Sequence, residues 1–92
     1  MDLNYKLYLE RANNEIKFAD IALFVSNNKD IQIDVMKIDE PETYYSSVIS
    51  HSYYCIFYAS KAYLAKKEIK TGPPEEHKKT YEEFKNLVFQ GA

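Results

Sequence analysis

Five polar and aromatic residues recur at helical spacing within residues 43–68, and they are the strongest candidates for chemistry. At 100° per residue they fall on one narrow arc of a helix, with steps of 4, 3, 4 and 3 residues. Histidine can act as a general base near neutral pH, tyrosine can stack on a base, and lysine can balance phosphate charge. We therefore predict a ligand-binding face, called the polar arc: Ser47, His51, Tyr54, Tyr58 and Lys61.

A second interpretation of the polar arc is a helix–helix or dimer interface. Mixed aromatic and polar faces are common at interfaces, and aromatic stripes more often pack than bind ligands. In that case His51 would be hydrogen-bonded and would have no catalytic role. The arc by itself leaves both interpretations open.

Outside this arc the sequence offers few groups for catalysis. His77 lies on the apolar stripe of a later helical segment, which favours a partly buried structural histidine. Cys55 follows His51 by four residues, but no acid accompanies the pair, so we predict an inert thiol. Neither histidine has further ligands at metal spacing on its own helix, and glycine occurs only at Gly72 and Gly91. The sequence therefore predicts no metal and no cofactor.

Length and composition favour one small globular domain. The 92 residues are 46% hydrophobic and 28% charged, an ordinary globular balance. A net charge of −2 gives none of the basic field that DNA binding requires. A single cysteine, the lack of a leader pattern and the lack of a long apolar run indicate a cytoplasmic protein without a membrane segment.

Residues 43–68 also carry a wide apolar arc, which predicts a central helix with several neighbours. Asp39 and Glu42 form a capping-box pattern with Pro41 in the first turn, so the helix is predicted to begin near Glu40. It is predicted to end at Lys66 or Lys67, where cations suit the helix dipole. The core residues expected from the wide arc are Tyr44, Tyr45, Val48, Ile49, Tyr53, Cys55, Ile56, Phe57, Ala59, Ala62, Tyr63 and Leu64.

A first helix is predicted from Asp2 to about Asn28. Its Arg11 and Glu15 have the spacing of a solvated i,i+4 pair. Its apolar stripe is Tyr5, Leu9, Ala12, Ile16, Ala19 and Leu23.

A third helix is predicted to open at Pro74 and to carry the stripe His77, Tyr81, Phe84 and Val88. Residues 29–38 alternate apolar and polar positions, which predicts an extended connection that lays its isoleucines on the bundle. Three such helices leave much apolar surface uncovered. We therefore expect either a fourth helix or a second subunit to cover it.

The central segment resembles the second-helix signature of HEPN domains, small helical proteins named for higher eukaryotes and prokaryotes nucleotide-binding. In the branch associated with prokaryotic toxin–antitoxin pairs, that helix reads approximately S-R-A-Y-Y-A-x-F-x-A-x-K-A-L-L. The segment HKKTYEEF is similar to the opening of that branch's third helix, through His77 and Phe84. The matching residues of the central helix are Ser50, Tyr53, Tyr54, Phe57, Ala59, Lys61, Ala62 and Leu64.

The resemblance implies an all-α, antiparallel up-and-down bundle of four or five helices, with residues 1–92 as a single domain. It also implies a homodimer, a minimal nucleotidyltransferase as partner, and nucleotide or RNA as ligand. Active members of the family are metal-independent endoribonucleases with an R-x(4–6)-H motif. In that motif the arginine would bind phosphate and the histidine would assist attack by the RNA 2′-hydroxyl.

This sequence departs from the family pattern at three points. Arg11 is the only arginine, and no histidine follows it within range. His51 stands where the branch commonly has arginine, and the chain ends where the family's final helices are expected to begin. We therefore predict a module that binds nucleotide, RNA or a protein partner rather than an enzyme. The alternatives are a ribonuclease whose site forms across a dimer from His51, and a purely structural dimerisation module.

Overall fold

The protein is all-α, as predicted. The structure is a computed structural model that describes residues 4–90, and these residues form four helices and no strand. The start predicted for the first helix, Asp2, lies outside the described residues. The helices are α1 (Asn4–Ser26), α2 (Lys29–Asp34), α3 (Tyr45–Lys66) and α4 (Glu76–Gln90).

The long helices α1 and α3 pack side by side in opposite directions. The backbone N–H of Tyr44, just before α3, donates to the hydroxyl of Ser26 at the end of α1 (2.7 Å). Near the other end of the pair, Tyr8 of α1 stacks on Tyr58 of α3, with 6.4 Å between ring centroids. Small side chains allow the close approach, because the buried residues of α1 are Ala12, Ala19, Ala22 and Ser26.

The predicted core is correct only in part. Leu9, Ile16 and Leu23 of the predicted α1 stripe are exposed, while the alanines between them are buried. On α3, Ile49 and Ile56 are 70% and 67% exposed. The reason is geometric: α1 covers one side of α3 and α4 covers part of another, so much of the wide apolar arc has no neighbour. The buried residues of α3 are Phe57, Ser60, Lys61, Ala62, Leu64 and Ala65.

The connection between α1 and α3 is not the extended segment that the alternation predicted. Its first part is α2, and the inward-facing residue is Gln32, which is 0% exposed, while Ile33 and Val35 are exposed. The Gln32 amide nitrogen donates to the carbonyls of Val25 (2.7 Å) and Glu42 (2.8 Å). Its oxygen accepts from the Glu42 N–H (2.9 Å). The helical turn of α2 places the Gln32 side chain between the backbone at Val25 and the backbone at Glu42.

The central helix begins at Tyr45, later than the predicted start near Glu40. The expected capping box does not form: Tyr44 is the N-cap residue, and it has no side-chain capping bond. The N–H groups of Glu42 and Tyr44 are instead taken by Gln32 and Ser26. These bonds hold residues 39–44 against the end of α1 and delay the helix start.

The last helix begins at Glu76, close to the predicted opening at Pro74. Residues 67–75 fold back along α3, so His77 stacks on Phe57 (4.0 Å between centroids) and Phe84 meets Tyr63 (5.5 Å). These pairs advance in the same direction on both helices. α4 therefore runs beside the C-terminal half of α3 instead of returning along its length.

The described residues form an elongated body. The radius of gyration is 17.0 Å, with extents of 50 × 28 × 22 Å. A compact domain of this length would have a radius of gyration of about 12 Å. Within the described part of the chain, no helix is long and apolar enough to cross a membrane.

Candidate functional site

The polar arc of α3 faces α1 and the start of α4, so its five residues are differently buried. Ser47, His51 and Tyr58 are half-buried, Lys61 is buried, and Tyr54 is 39% exposed. The arc is therefore a helix contact along part of its length and an open surface only around Tyr54 and Tyr58. Its members have separate partners, which determine what each can do.

His51 is engaged by α1. Its Nδ1–H donates to the carboxylate of Glu15, and its ring lies 4.5 Å from that of Phe18. Glu15 therefore pairs with His51 across the helices and not with Arg11 along α1, as its spacing had suggested. This bond engages Nδ1 of the imidazole, so His51 links α3 to α1 in this structure. Cys55, one turn later, is half-buried and has no hydrogen bond to it.

Lys61 is also engaged, and it is only 7% exposed. Its ammonium donates to the Thr71 carbonyl (2.5 Å), the Glu76 carboxylate (2.7 Å) and, more weakly, the Thr71 hydroxyl (3.3 Å). The Thr71 hydroxyl in turn meets that of Thr80 in α4 (2.5 Å). All three ammonium hydrogens are accounted for, so Lys61 fastens residues 67–76 to α3.

The part of the arc that stays open is joined by an arginine from α1. The Arg11 guanidinium carbon lies 5.7 Å from the ring centroid of Tyr58 and 6.0 Å from that of Tyr8. This is within the range of a cation–π contact. The ring of Tyr54 lies next to that of Tyr58, with 6.4 Å between the ring centroids. Among residues 4–90, the Arg11 side chain has no ion-pair or hydrogen-bond partner, so its donors remain available.

His77 continues this row of rings from α4. Its ring lies 5.8 Å from that of Tyr54, edge to face, and stacks on Phe57. Its Nδ1 shares a hydrogen bond with the Tyr53 hydroxyl (2.9 Å), which orients the imidazole, and Nε2 has no hydrogen-bond partner among the described residues. The prediction of a partly buried histidine is wrong, because His77 is exposed. His77 nevertheless packs on Phe57 of α3, as its place on the predicted apolar stripe of α4 implied.

We call the row Arg11, Tyr58, Tyr54 and His77 the aromatic strip. It presents two exposed or half-exposed phenol rings between a guanidinium and an imidazole. Rings can stack on planar bases, and guanidinium can bind phosphate through paired hydrogen bonds. In residues 4–90, no three His, Cys, Asp or Glu side chains are grouped to hold a metal.

Two members of the strip were missed as site residues from the sequence. Arg11 was interpreted as a solvated charge, although its being the only arginine was a signal. Its neighbours on α3 depend on the register of two helices that are far apart in sequence. His77 was placed on a packing stripe, and only the fold-back of residues 67–75 brings it beside Tyr54.

The fold and the strip define a small all-α domain with an aromatic, basic surface. A model of the HEPN domain matches residues 30–87, which is more than half of the chain. This chain therefore belongs to the HEPN domain family. Arg11 and the rest of α1 lie outside the matched range. Comparisons with curated proteins and with solved structures gave no significant match.

Proposed function

We propose that this domain binds single-stranded RNA or its nucleotides on the aromatic strip. The observation that carries this proposal is the Arg11 guanidinium, which has no ion-pair or hydrogen-bond partner among the described residues and lies over the Tyr58 ring, with Tyr54 next to Tyr58. In this mode a base stacks on a tyrosine ring, and the adjoining phosphate is bound by Arg11. Stacking on an aromatic ring is worth about 1–3 kcal/mol per base and tolerates any base. Membership of the HEPN family agrees with a nucleotide or RNA ligand.

Titration of a fluorescently labelled single-stranded oligoribonucleotide tests the proposal by anisotropy. We expect Arg11→Ala and Tyr54→Ala each to raise Kd about tenfold, from the loss of one phosphate contact or one stacking ring. Lys17→Ala is the matched control, since Lys17 is an exposed cation of the same helix without a partner in the strip. An unchanged Kd in both strip variants would remove the site, and an equal loss in the control would reduce it to general charge attraction.

A ribonuclease is the second candidate, because the exposed His77 imidazole stands at one end of the strip. Nε2 of His77 would take the proton of a 2′-hydroxyl as its oxygen attacks the adjoining phosphate, and the 5′-oxygen of the next nucleotide would leave and take a proton from water, giving a 2′,3′-cyclic phosphate. The RNA recovered from the same titration, kept with a chelator, decides between the two. Cleavage by the wild type that is lost in His77→Ala would make the protein an enzyme, and intact RNA leaves binding alone.

We further propose a homodimer. The support is a regular spacing of exposed apolar residues on the side of the α1–α3 pair that faces away from the aromatic strip. Exposed or partly exposed apolar residues recur there at seven-residue steps on both helices, the spacing of helices that pack in coiled-coil fashion. We call them the apolar seam: Leu9, Ile16 and Leu23 on α1, with Ile49, Ile56 and Tyr63 on α3.

A second copy offers the same two stripes, so two seams can meet about a twofold axis. Leu9 and Tyr63 line one groove, which places the two stripes on one side. On α1, Arg11 lies about 140° from Ile16, so dimerisation would leave the aromatic strip open. Light scattering of the wild type would give twice the chain mass if the proposal is right.

The family resemblance also suggests a minimal nucleotidyltransferase as partner, in a cytoplasmic toxin–antitoxin pair. We propose this pairing on the resemblance alone. Calorimetric titration with a nucleotidyltransferase encoded beside this chain's gene would measure it, and the absence of heat or complex at micromolar concentration would count against it.

A further inference from the structure

We propose that the ligand extends from the aromatic strip into a neighbouring cavity, and is therefore a dinucleotide or a longer single strand. This inference rests on the proposed function and specifies its substrate. The cavity has a volume of about 320 Å³ and lies between the start of α1, the end of α3 and residues 69–72. That volume is at the lower end of the range for small-molecule sites.

Tyr8 joins the cavity to the strip. Its ring lines the cavity, stacks on Tyr58 and lies 6.0 Å from the guanidinium carbon of Arg11. A strand whose first base stacks in the strip and whose phosphate is held by Arg11 therefore has its next nucleoside at the mouth of this cavity.

The lining suits a nucleoside better than a polyphosphate. Ala65 and Ile69 provide an apolar wall, and Tyr8 adds a ring with a hydroxyl that has no hydrogen-bond partner among the described residues. A polyphosphate would need several free cations, but the described residues that line the cavity offer one. Lys70 is exposed and unpaired in the part of the chain described, whereas the ammonium of Lys61 is occupied by Thr71 and Glu76.

Lys70 is placed to hold the phosphate that follows the second nucleoside. It stands on the connection that forms one side of the cavity, and Lys61 keeps that connection in place through Thr71. A dinucleotide with a terminal phosphate would thus have, for each of its two nucleotides, a place for the base and one cation for the phosphate. A mononucleotide would use the strip only.

Gly72 is a position at the cavity where a side chain can be added without a clash at its Cβ. It lines the cavity, a Cβ added to it would meet no heavy atom within 4 Å, and its φ is not positive. Gly72→Leu therefore introduces a side chain into the space where the second nucleoside would bind, and backbone strain is not expected. Thermal unfolding of the variant serves as the folding control.

The test compares a nucleoside 3′-monophosphate with a dinucleotide and a tetranucleotide of RNA that each carry a 3′-terminal phosphate, by calorimetry. The wild type should bind the dinucleotide about tenfold more tightly than the monophosphate, in the range of one additional stacked base. Gly72→Leu should remove this gain and leave the monophosphate affinity unchanged. Lys70→Ala should reduce the gain and make binding of the longer ligands less sensitive to salt, with Lys17→Ala as the charge control.

The outcomes separate this inference from the proposed function. Equal affinities for monophosphate and dinucleotide in the wild type, or a gain that survives Gly72→Leu, would overturn the extension into the cavity and leave the strip intact. Loss of monophosphate binding in Arg11→Ala concerns the strip alone. If the wild type binds none of the three ligands, the proposed function fails first.

Discussion

At the scale of single residues, the partners of a side chain decide its role more than its type does. Lys61 and Arg11 are both cations beside Tyr8, at 5.3 Å and 6.0 Å from its ring centroid. The ammonium of Lys61 is buried and donates to Thr71 and Glu76, whereas Arg11 is exposed and its guanidinium has no ion-pair or hydrogen-bond partner among the described residues. The first therefore stabilises the fold, and the second is available to a ligand.

Replacing Lys61 by Met should lower the free energy of unfolding by about 2 kcal/mol. The Thr71 carbonyl would lose a charge-assisted donor, while the half-exposed Glu76 would be rehydrated, which limits the cost. Urea denaturation followed by circular dichroism measures the change. Lys66→Met, an exposed lysine of the same helix, should cost less than about 1 kcal/mol. Equal losses in the two variants would contradict the structural role of Lys61.

At the scale of elements, α2 connects the end of α1 to the segment that precedes α3. One residue makes this connection, because the buried amide of Gln32 binds Val25 on one side and Glu42 on the other. Ser26 supplements it by accepting from the N–H of Tyr44 and donating to the carbonyl of Ala22. The start of α3, and with it the register of α3 on α1, depends on these bonds.

We expect Gln32→Leu to cost about 3 kcal/mol of unfolding free energy, since two carbonyls and one N–H, all in part-buried bonds, would lose their partner. The side chain of Glu42 takes no part, because Gln32 contacts only its backbone. Glu42→Ala should therefore stay within about 0.5 kcal/mol of the wild type. A Gln32→Leu protein as stable as Glu42→Ala would show that the connection does not hold the bundle together. Chemical denaturation of both variants at one protein concentration measures the difference.

At the scale of the whole molecule, the described residues form an elongated body with an exposed apolar seam. α1 and α3 pack through small residues and leave most of their large aliphatic residues exposed, although Leu64 is buried. Small domains of this length bury a limited core, and association is a common way to enlarge it. The aromatic strip lies on the opposite side, so assembly and ligand binding would use different surfaces.

A charge in the seam should dissociate the dimer. Ile56→Glu would place a carboxylate in the middle of the proposed contact, and light scattering should then report the mass of one chain. Ile21→Glu is the matched control: Ile21 is 59% exposed on α1, about 140° around the helix from Ile16, and this variant should keep the mass of the wild type. Monomeric wild type, or a dimer that survives Ile56→Glu, would remove the seam as its interface.

The sequence alone determined the helical class, the C-terminal ends of the two long helices to within about two residues, and the family. Those properties follow from local periodicity, from the small number of glycines and prolines, and from one segment of distinctive composition. The candidate ligand-binding surface was only half visible, through Tyr54 and Tyr58. Their neighbours Arg11 and His77 are distant in the sequence but close in the folded structure.

Tertiary structure decided which polar side chains bond to other parts of the protein and which remain available to a ligand. His51 and Lys61 are residue types that could bind a ligand. In the structure His51 bonds to Glu15, and Lys61 bonds to Thr71 and Glu76. The same applies to the core: periodicity shows that a face is apolar, whereas burial depends on whether another helix reaches it. In α3 the wide apolar arc exceeds what α1 and α4 can cover, so part of it remains open to solvent. Helical periodicity gives the residue composition of a helix face. What contacts that face depends on how segments distant in the chain pack together.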